Sequence, residues 1–99
     1  MTTTYEDVLL LAQDAPAGLG ILNACLDFAE FLIKKNISYG NSALEPLNVL
    51  SNATAEEQIR MHIDNKLTRL KNQKEFENED SLLDLTGYLI LLTVLKKSS

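Results

Sequence analysis

Apolar residues recur at helical spacings in four segments of this chain, separated by polar, glycine-containing or proline-containing stretches. The first segment runs from Tyr5 to Gln13, and Pro16 and Gly18 interrupt the pattern soon afterwards. The second runs from Leu19 to Lys35, where apolar residues return every three or four positions. Because this is the period of an α-helix, both segments are predicted to be helical.

The third segment has a clear helix start. Thr54 is a favourable N-cap residue, and Glu57 follows three positions later, as the reciprocal hydrogen bonds of a capping box require. A helix is therefore predicted to begin directly after Thr54, with Glu57 as part of its cap. The predicted core stripe of this helix consists of Ile59, Ile63, Leu67 and Leu70.

The fourth segment is predicted to start near Glu79 or Asp80, because acidic residues favour the positive end of a helix dipole. Apolar residues cover most of its circumference as far as Leu95, so we expect this helix to be central or to lie at an oligomer interface. The polar run from Asn72 to Asn78 is interpreted as a helix–helix turn. The tail from Lys96 to Ser99 is predicted to be loose.

The stretch from Asn36 to Ala53 lacks a regular period and is rich in turn-forming residues. A connection this long is usually functional or contains short helical turns. We predict both for this segment, with a turn near Ser42 to Glu45. No segment alternates as a β-strand would. The predicted fold is an all-α, small four-helix bundle-like single domain over residues 1–99, with a long irregular loop between helices 2 and 3.

Composition and charge restrict the function. The chain has 99 residues, and its 9 basic and 14 acidic residues give a formal net charge of −5. This acidity disfavours binding to a nucleic-acid polymer, whose phosphate backbone requires a basic surface. A chain this small buries only about 60–70% of its unfolded surface. We therefore expect homo-oligomerisation to complete the fold if the chain has a ligand pocket.

Three features favour a cytoplasmic location. The N-terminus lacks the basic flank of a signal peptide. The apolar stretch from Leu82 to Val94 is interrupted by Asp84 and is shorter than the roughly 20 residues of a membrane span. The single cysteine, Cys25, cannot form an internal disulfide, and we interpret it as a small buried hydrophobic residue.

Acidic residues in the last two helices suggest a metal site. Asp80, Asp84 and Tyr88 are spaced by four and share one face of the fourth helix. Two carboxylates one turn apart can hold Mg²⁺, with water or substrate phosphate completing the coordination. The alternative, which spacing alone favours, is a helix start followed by one solvated aspartate. Asp64 is either a third ligand or a surface ion-pair partner of Arg60, which lies one turn earlier.

Basic residues at Lys35, Arg60, Lys66 and Arg69 could bind a phosphorylated small molecule together with the loop residues 38–42. In the alternative, each of these cations is solvated or salt-bridged. Tyr39 could stack on a nucleobase, whereas a catalytic role is not expected for His62, which stands alone on a polar helix face. The chain contains no motif of a serine-triad hydrolase, a zinc enzyme or a P-loop protein.

Three blocks, at residues 31–43, 59–70 and 79–91, resemble the phage and bacterial nucleotide-modification-associated domain. The family pattern is roughly a K-x-x-D-Y-G loop, an R-x-x-D-K-x-x-R-L helix and an E-D-x-x-x-D-L-x-G-Y helix, and the resemblance covers about residues 20–97. The matching positions here are Lys35, Tyr39, Gly40, Arg60, Asp64, Lys66, Arg69, Asp80, Asp84, Gly87 and Tyr88.

Two departures from the family pattern each remove a carboxylate. Ser38 stands where the loop usually has an aspartate. Asn65 separates Asp64 from Lys66, so either the usual Asp-Lys pair is stretched or Asn65 replaces the aspartate. The last two helices are also similar, in architecture alone, to MazG and dimeric dUTPase nucleotide pyrophosphohydrolases, although a double-glutamate motif is not clearly present.

The resemblance implies a small phage-type protein that binds a nucleotide or nucleotide-derived phosphate ligand in the host cytoplasm. As an enzyme it would be a Mg²⁺-dependent nucleoside triphosphate pyrophosphohydrolase. As a non-catalytic module it would sequester a nucleotide immune signal, and a third alternative is an inhibitor whose leucine-rich fourth helix docks on a host protein. The implied ligand and phosphate contacts are Lys35, Tyr39, Gly40, Arg60, Lys66, Arg69 and Tyr88, and the implied Mg²⁺ ligands are Asp64, Asp80 and Asp84.

Overall fold

The structure, a computed structural model, describes residues 2–73 and 80–98. These residues form four α-helices and no β-strand, which confirms the predicted all-α class. The helices are α1 (Tyr5–Asp14), α2 (Gly18–Tyr39), α3 (Ala55–Asn72) and α4 (Ser81–Ser98). The chain divides into two compact units, Met1–Ser38 and Tyr39–Ser99, which are described separately below.

In the first unit, α1 and α2 meet around a tight turn. A capping box starts α1, in which the Thr4 hydroxyl accepts from the Asp7 N–H and the Asp7 carboxylate accepts from the Thr4 N–H. After α1 ends, Gly18 lies so close to Ala12 that an added Cβ would overlap the Ala12 carbonyl. Ala12, Gly18 and Leu22 are the buried residues of these two helices. Within residues 2–38, the burial is therefore concentrated at this turn.

The second helix is longer than predicted. It continues to Tyr39, four residues past the expected end at Lys35, because the intervening residues contain no helix breaker. Gly40 then takes a left-handed conformation with φ of 62°, which ends the helix. Cys25 is exposed, so its interpretation as a buried residue is wrong. The helical spacing of apolar residues identifies the apolar side of α2, but it does not show whether another part of the protein covers that side.

The second unit begins with the predicted turn. The N–H groups of Leu44 and Glu45 donate to the carbonyl of Asn41, which confirms a helical turn near Ser42 to Glu45. The irregular segment that follows ends at the predicted capping box, in which Thr54 Oγ1 accepts from the Glu57 N–H at 3.1 Å. The Glu57 carboxylate accepts from the Thr54 N–H at 3.0 Å in return. The predicted start of α3 is thus confirmed.

Helices α3 and α4 pack against each other along their lengths. Their contacts join Glu56 to Lys96 near one end and Lys66 to Asp84 nearer the other, so the two helices run antiparallel. Ile59 is 1% exposed and belongs to the core of this pair. Leu67, by contrast, is 49% exposed, so the predicted core stripe of α3 is wrong at that position.

Several apolar side chains of the fourth helix are exposed. Its buried residues are Ser81 and Gly87, while Leu82, Leu89, Ile90 and Val94 are each at least 40% exposed. The tail prediction is wrong for residues 96–98, which remain helical, and Lys96 Nζ lies 2.9 Å from Glu56 Oε1. Most of the predicted helix–helix turn, at residues 74–78, lies outside the described residues. Among the described helices, none is long and apolar enough to cross a bilayer.

Candidate functional site

Four side chains form a polar cluster where α3 and α4 meet. His62 and Lys66 are one turn apart on α3, and Asp84 and Tyr88 are one turn apart on α4. Lys66 Nζ lies 3.2 Å from Asp84 Oδ2. The rings of His62 and Tyr88 stack with 4.7 Å between centroids and an interplanar angle of 6°. Because the helices are antiparallel, His62 faces Tyr88 and Lys66 faces Asp84 one turn away. We call these four residues the α3–α4 cluster.

Partial burial sets the electrostatics of the α3–α4 cluster. The side chains of Lys66 and Asp84 are only 14% and 22% exposed, so their attraction is less screened than that of a surface pair. Burial raises the pKa of the Tyr88 phenol, the Lys66 charge opposes that change, and the Asp84 charge adds to it. The Tyr88 hydroxyl is therefore neutral at physiological pH and can donate a hydrogen bond.

The structure does not bring the three implied Mg²⁺ ligands together. Asp80 lies at the N-terminus of α4, where its Oδ1 accepts from the Leu83 N–H at 3.0 Å. Asp64 is exposed on α3, and Asp84 faces the Lys66 ammonium group. Among the described residues, no group of three His, Cys, Asp or Glu side chains could hold a metal ion. Asp80 therefore acts as a helix cap, as in the alternative interpretation of this face.

Two of the implied phosphate-binding cations form ion pairs. Lys66 pairs with Asp84, and Arg60 Nε lies 3.0 Å from Glu56 Oε2 on the preceding turn of α3. Lys96 also contacts Glu56, and these two cations lower the pKa of that carboxyl group, Lys96 having the larger effect. Arg60 thus pairs with Glu56, not with the predicted Asp64. This is the salt-bridged alternative that the sequence left open.

Lys35, Tyr39 and Arg69 are not among the four residues of the α3–α4 cluster, and each has its own surroundings. In the first unit, the Lys35 ammonium group lies over the Phe31 ring, 4.9 Å from its centroid. Tyr39 is 67% exposed at the end of α2, directly before Gly40. Arg69 is half-buried, near the C-terminal end of α3. Of the seven implied ligand contacts, Lys66 and Tyr88 belong to the α3–α4 cluster.

A cavity of about 290 Å³ lies beside α3, where the irregular segment before α3 runs along the helix. Its wall consists of Asn48, Val49, Leu50, Ser51, Ala53, Gln58, Met61, His62 and Asn65. None of the described residues in this wall is charged. His62 belongs both to this wall and to the α3–α4 cluster, so the cavity borders the cluster.

Hydrogen bonds from one glutamine hold the cavity wall in place. Gln58 Nε2 donates to Asn48 Oδ1 at 2.9 Å and to the Ala53 carbonyl at 3.1 Å, which fastens the irregular segment to α3. Asn48 has a φ of 56°, a left-handed conformation that asparagine adopts more readily than most residues. Within the same segment, Ser51 Oγ accepts from the Ala53 N–H at 3.0 Å. These hydrogen bonds tie the irregular segment to the N-terminal part of α3.

The sequence did not identify the amide residues of this wall. Asn48, Gln58 and Asn65 carry carboxamides, and Met61 supplies an apolar surface among them. A signal was present, because Gln58, Met61 and Asn65 recur at spacings of three and four and therefore share one face of α3. This face follows the long irregular segment, for which a functional role was predicted.

Comparison of the chain with family models, curated proteins and solved structures finds no match. The resemblance to the nucleotide-modification-associated domain, and the more distant one to MazG-like pyrophosphohydrolases, gains no support from these comparisons.

Proposed function

We propose that this protein binds a nucleotide or nucleotide-derived molecule without turning it over, and that the cavity beside α3 holds the heterocyclic base. The observation that carries the proposal is the chemistry of the cavity wall, whose described residues combine three carboxamides with an imidazole ring and include no Asp, Glu, Lys or Arg. The proposal keeps the non-catalytic alternative drawn from the sequence, but the basic ligand contacts of that alternative are not among the described residues of this wall.

The cavity wall suits a planar heterocycle in two respects. Gln58 Nε2 already donates to Asn48 and to a backbone carbonyl, so Gln58 can offer a base only its carbonyl acceptor. The Asn48 and Asn65 carboxamides can supply N–H donors, and together these groups match the donor and acceptor edges of a nucleobase. The His62 ring and the Met61 thioether offer flat or polarisable surfaces on which a base can stack. A volume of about 290 Å³ lies at the lower end of small-molecule pockets, and it therefore suits a base better than a whole dinucleotide.

The charged groups favour binding over hydrolysis. A Mg²⁺-dependent pyrophosphohydrolase needs converging carboxylates and cations that neutralise the phosphate charge. Here Asp80 caps α4, Asp84 pairs with Lys66, and Glu56 pairs with Arg60. Because the described cavity wall carries no cation, we expect affinity to depend weakly on phosphate number and on salt.

The proposal is tested by calorimetric titration of the protein with the common nucleosides and their mono- and triphosphates. We expect one base to be preferred and Asn65→Ala to weaken its binding about tenfold, because the wall loses one carboxamide. Asn72→Ala is the matched control, since Asn72 is also an exposed asparagine of α3 but lies outside the cavity wall. Equal affinities of the two variants, or no binding of any nucleoside or nucleotide, would overturn the proposal.

Incubation with Mg²⁺ and the preferred triphosphate, followed by anion-exchange chromatography, tests the absence of turnover. We expect the intact triphosphate to be recovered. Release of monophosphate and pyrophosphate in amounts that exceed the protein concentration, and that Asp84→Asn abolishes, would instead establish the pyrophosphohydrolase.

A further inference from the structure

A row of exposed apolar side chains runs along α2. Leu19, Leu26, Ile33 and Ile37 are 50%, 43%, 60% and 75% exposed, respectively. Their spacings of seven, seven and four residues place them on one side of the helix. We call this row the α2 stripe, and at 1.5 Å per residue it is about 27 Å long.

The unit that carries the α2 stripe does not cover it. Within residues 2–38, the buried apolar side chains are Ala12 and Leu22, which lie near the turn between α1 and α2. Beyond that turn, the stripe residues from Leu26 to Ile37 stay exposed. Fewer than about 40 residues rarely build a core without disulfides, metals or association. The first unit, Met1–Ser38, is below this size, so its exposed apolar side chains are expected to need a covering partner.

We propose that the α2 stripe from Leu26 to Ile37 is the interface of a homodimer, in which α2 of one copy packs antiparallel against α2 of a second copy. The spacing of seven supports helix–helix pairing, because apolar residues repeated at this interval stay on the facing sides of two supercoiled helices. A second copy offers the same stripe, so the interface is self-complementary under twofold symmetry.

Charges beside the α2 stripe favour the antiparallel direction. Glu30 and Lys34 lie on one flank of the stripe, 3.7 Å apart, with side chains 71% and 72% exposed. The midpoint between Leu26 and Ile37 falls at residues 31–32, which also lie midway between these two charges. An antiparallel pair centred there sets Glu30 of each copy beside Lys34 of the other. In a parallel pair this flank would face the opposite flank, which carries Ala29 and Asn36, so no such pairing would form.

Sedimentation velocity on the full chain between about 10 and about 300 µM tests the proposal. We expect a species of twice the 11.0 kDa chain mass. Ile33→Glu should weaken the dimer at least about tenfold, because it places a charge in the apolar interface. Ile21→Glu is the matched control: Ile21 also lies on α2, is 62% exposed and sits about 120° around the helix from Ile33, so the dimer should persist.

Charge reversal tests the direction of pairing. Glu30→Lys and Lys34→Glu should each weaken the dimer several-fold, and the double variant should restore it, because the exchanged charges again face each other between copies. Circular dichroism checks that each variant stays helical, and Ile37→Glu is a second interface variant if Ile33→Glu does not fold. A monomer at the highest concentration, or equal effects of Ile33→Glu and Ile21→Glu, would overturn the interface. Charge reversals without effect would overturn the antiparallel arrangement.

Discussion

The imidazole of His62 and the phenol of Tyr88 lie almost parallel across the α3–α4 interface, with 4.7 Å between their centroids. His62 contributes to the cavity wall, whereas Tyr88 is not among the described residues of that wall. Through this stack, a residue of α4 positions a ring that belongs to the proposed binding site.

Replacing Tyr88 should therefore weaken nucleoside binding, although Tyr88 is not among the described residues of the cavity wall. Tyr88→Leu removes the stacked ring, so we expect several-fold weaker binding of the preferred nucleoside because the His62 ring loses its support. Tyr88→Phe keeps the ring and should keep the affinity. Calorimetric titration measures both variants, and equal losses for leucine and phenylalanine would show that the stack has no part in binding.

The Lys66–Asp84 ion pair should contribute to stability in a way that depends on both partners. Lys66→Met leaves the largely buried Asp84 carboxylate without this cation, and we expect a loss of about 2 kcal/mol in the free energy of unfolding. The double variant Lys66→Met, Asp84→Leu should recover most of that loss. Urea denaturation measures these values, and Arg60→Met, which breaks a more exposed pair, is the control with a smaller effect.

The capping box of α3 should make the free energy of unfolding fall at acidic pH. Hydrogen bonding lowers the pKa of Glu57 below 4.5, chiefly through the Thr54 N–H and secondarily through the Thr54 side chain. A carboxyl group whose pKa is lower in the folded state stabilises the fold above its ordinary pKa. That contribution is lost as pH falls from about 4.5 through the folded-state value. Glu57→Gln removes the titrating group and should remove this part of the acid sensitivity.

Urea midpoints measured between about pH 7 and about pH 3 should therefore converge for wild type and Glu57→Gln as the pH falls. Parallel curves throughout this range would contradict the role of Glu57 in the cap.

Two glycines of α2 should respond in opposite ways to the same substitution. Gly18→Ala would place a methyl group on the Ala12 carbonyl, so we expect a loss of about 2 kcal/mol as the turn is pushed open. Gly20 has open space around its added Cβ, so Gly20→Ala should stabilise the helix by about 0.5–1 kcal/mol. Thermal unfolding of both variants measures these effects, and equal shifts would argue against the close approach at Gly18.

The sequence predicted the helices better than it predicted their burial. Thr54 and Glu57 specify a helix start by hydrogen bonds between residues three apart, and such local signals can be identified without knowing the fold. The helical spacing of apolar residues assigns a residue to one side of a helix, but the burial of that residue depends on whether another element packs against that side. Cys25 and Leu67 lie on apolar stripes and are nevertheless exposed.

The candidate site was harder to predict because it depends on contacts between distant parts of the chain. Arg60 has a carboxylate one turn away on either side, and the sequence does not distinguish Glu56 from Asp64. In the structure, Lys96 of α4 also contacts Glu56, an arrangement set by the antiparallel packing of the two helices. The cavity likewise requires Asn48 to meet Gln58 after a left-handed backbone turn, which no periodic pattern reveals.

The two capping boxes have a consequence for how this protein tolerates sequence change. At Thr4 and at Thr54, a threonine and an acidic residue three positions later fix the first turn of a helix by themselves. The starts of α1 and α3 are therefore specified by local hydrogen bonds. Substitutions on the apolar faces can alter which surfaces associate while leaving the starts of α1 and α3 in place. The architecture can thus persist among descendants whose contact surfaces have diverged.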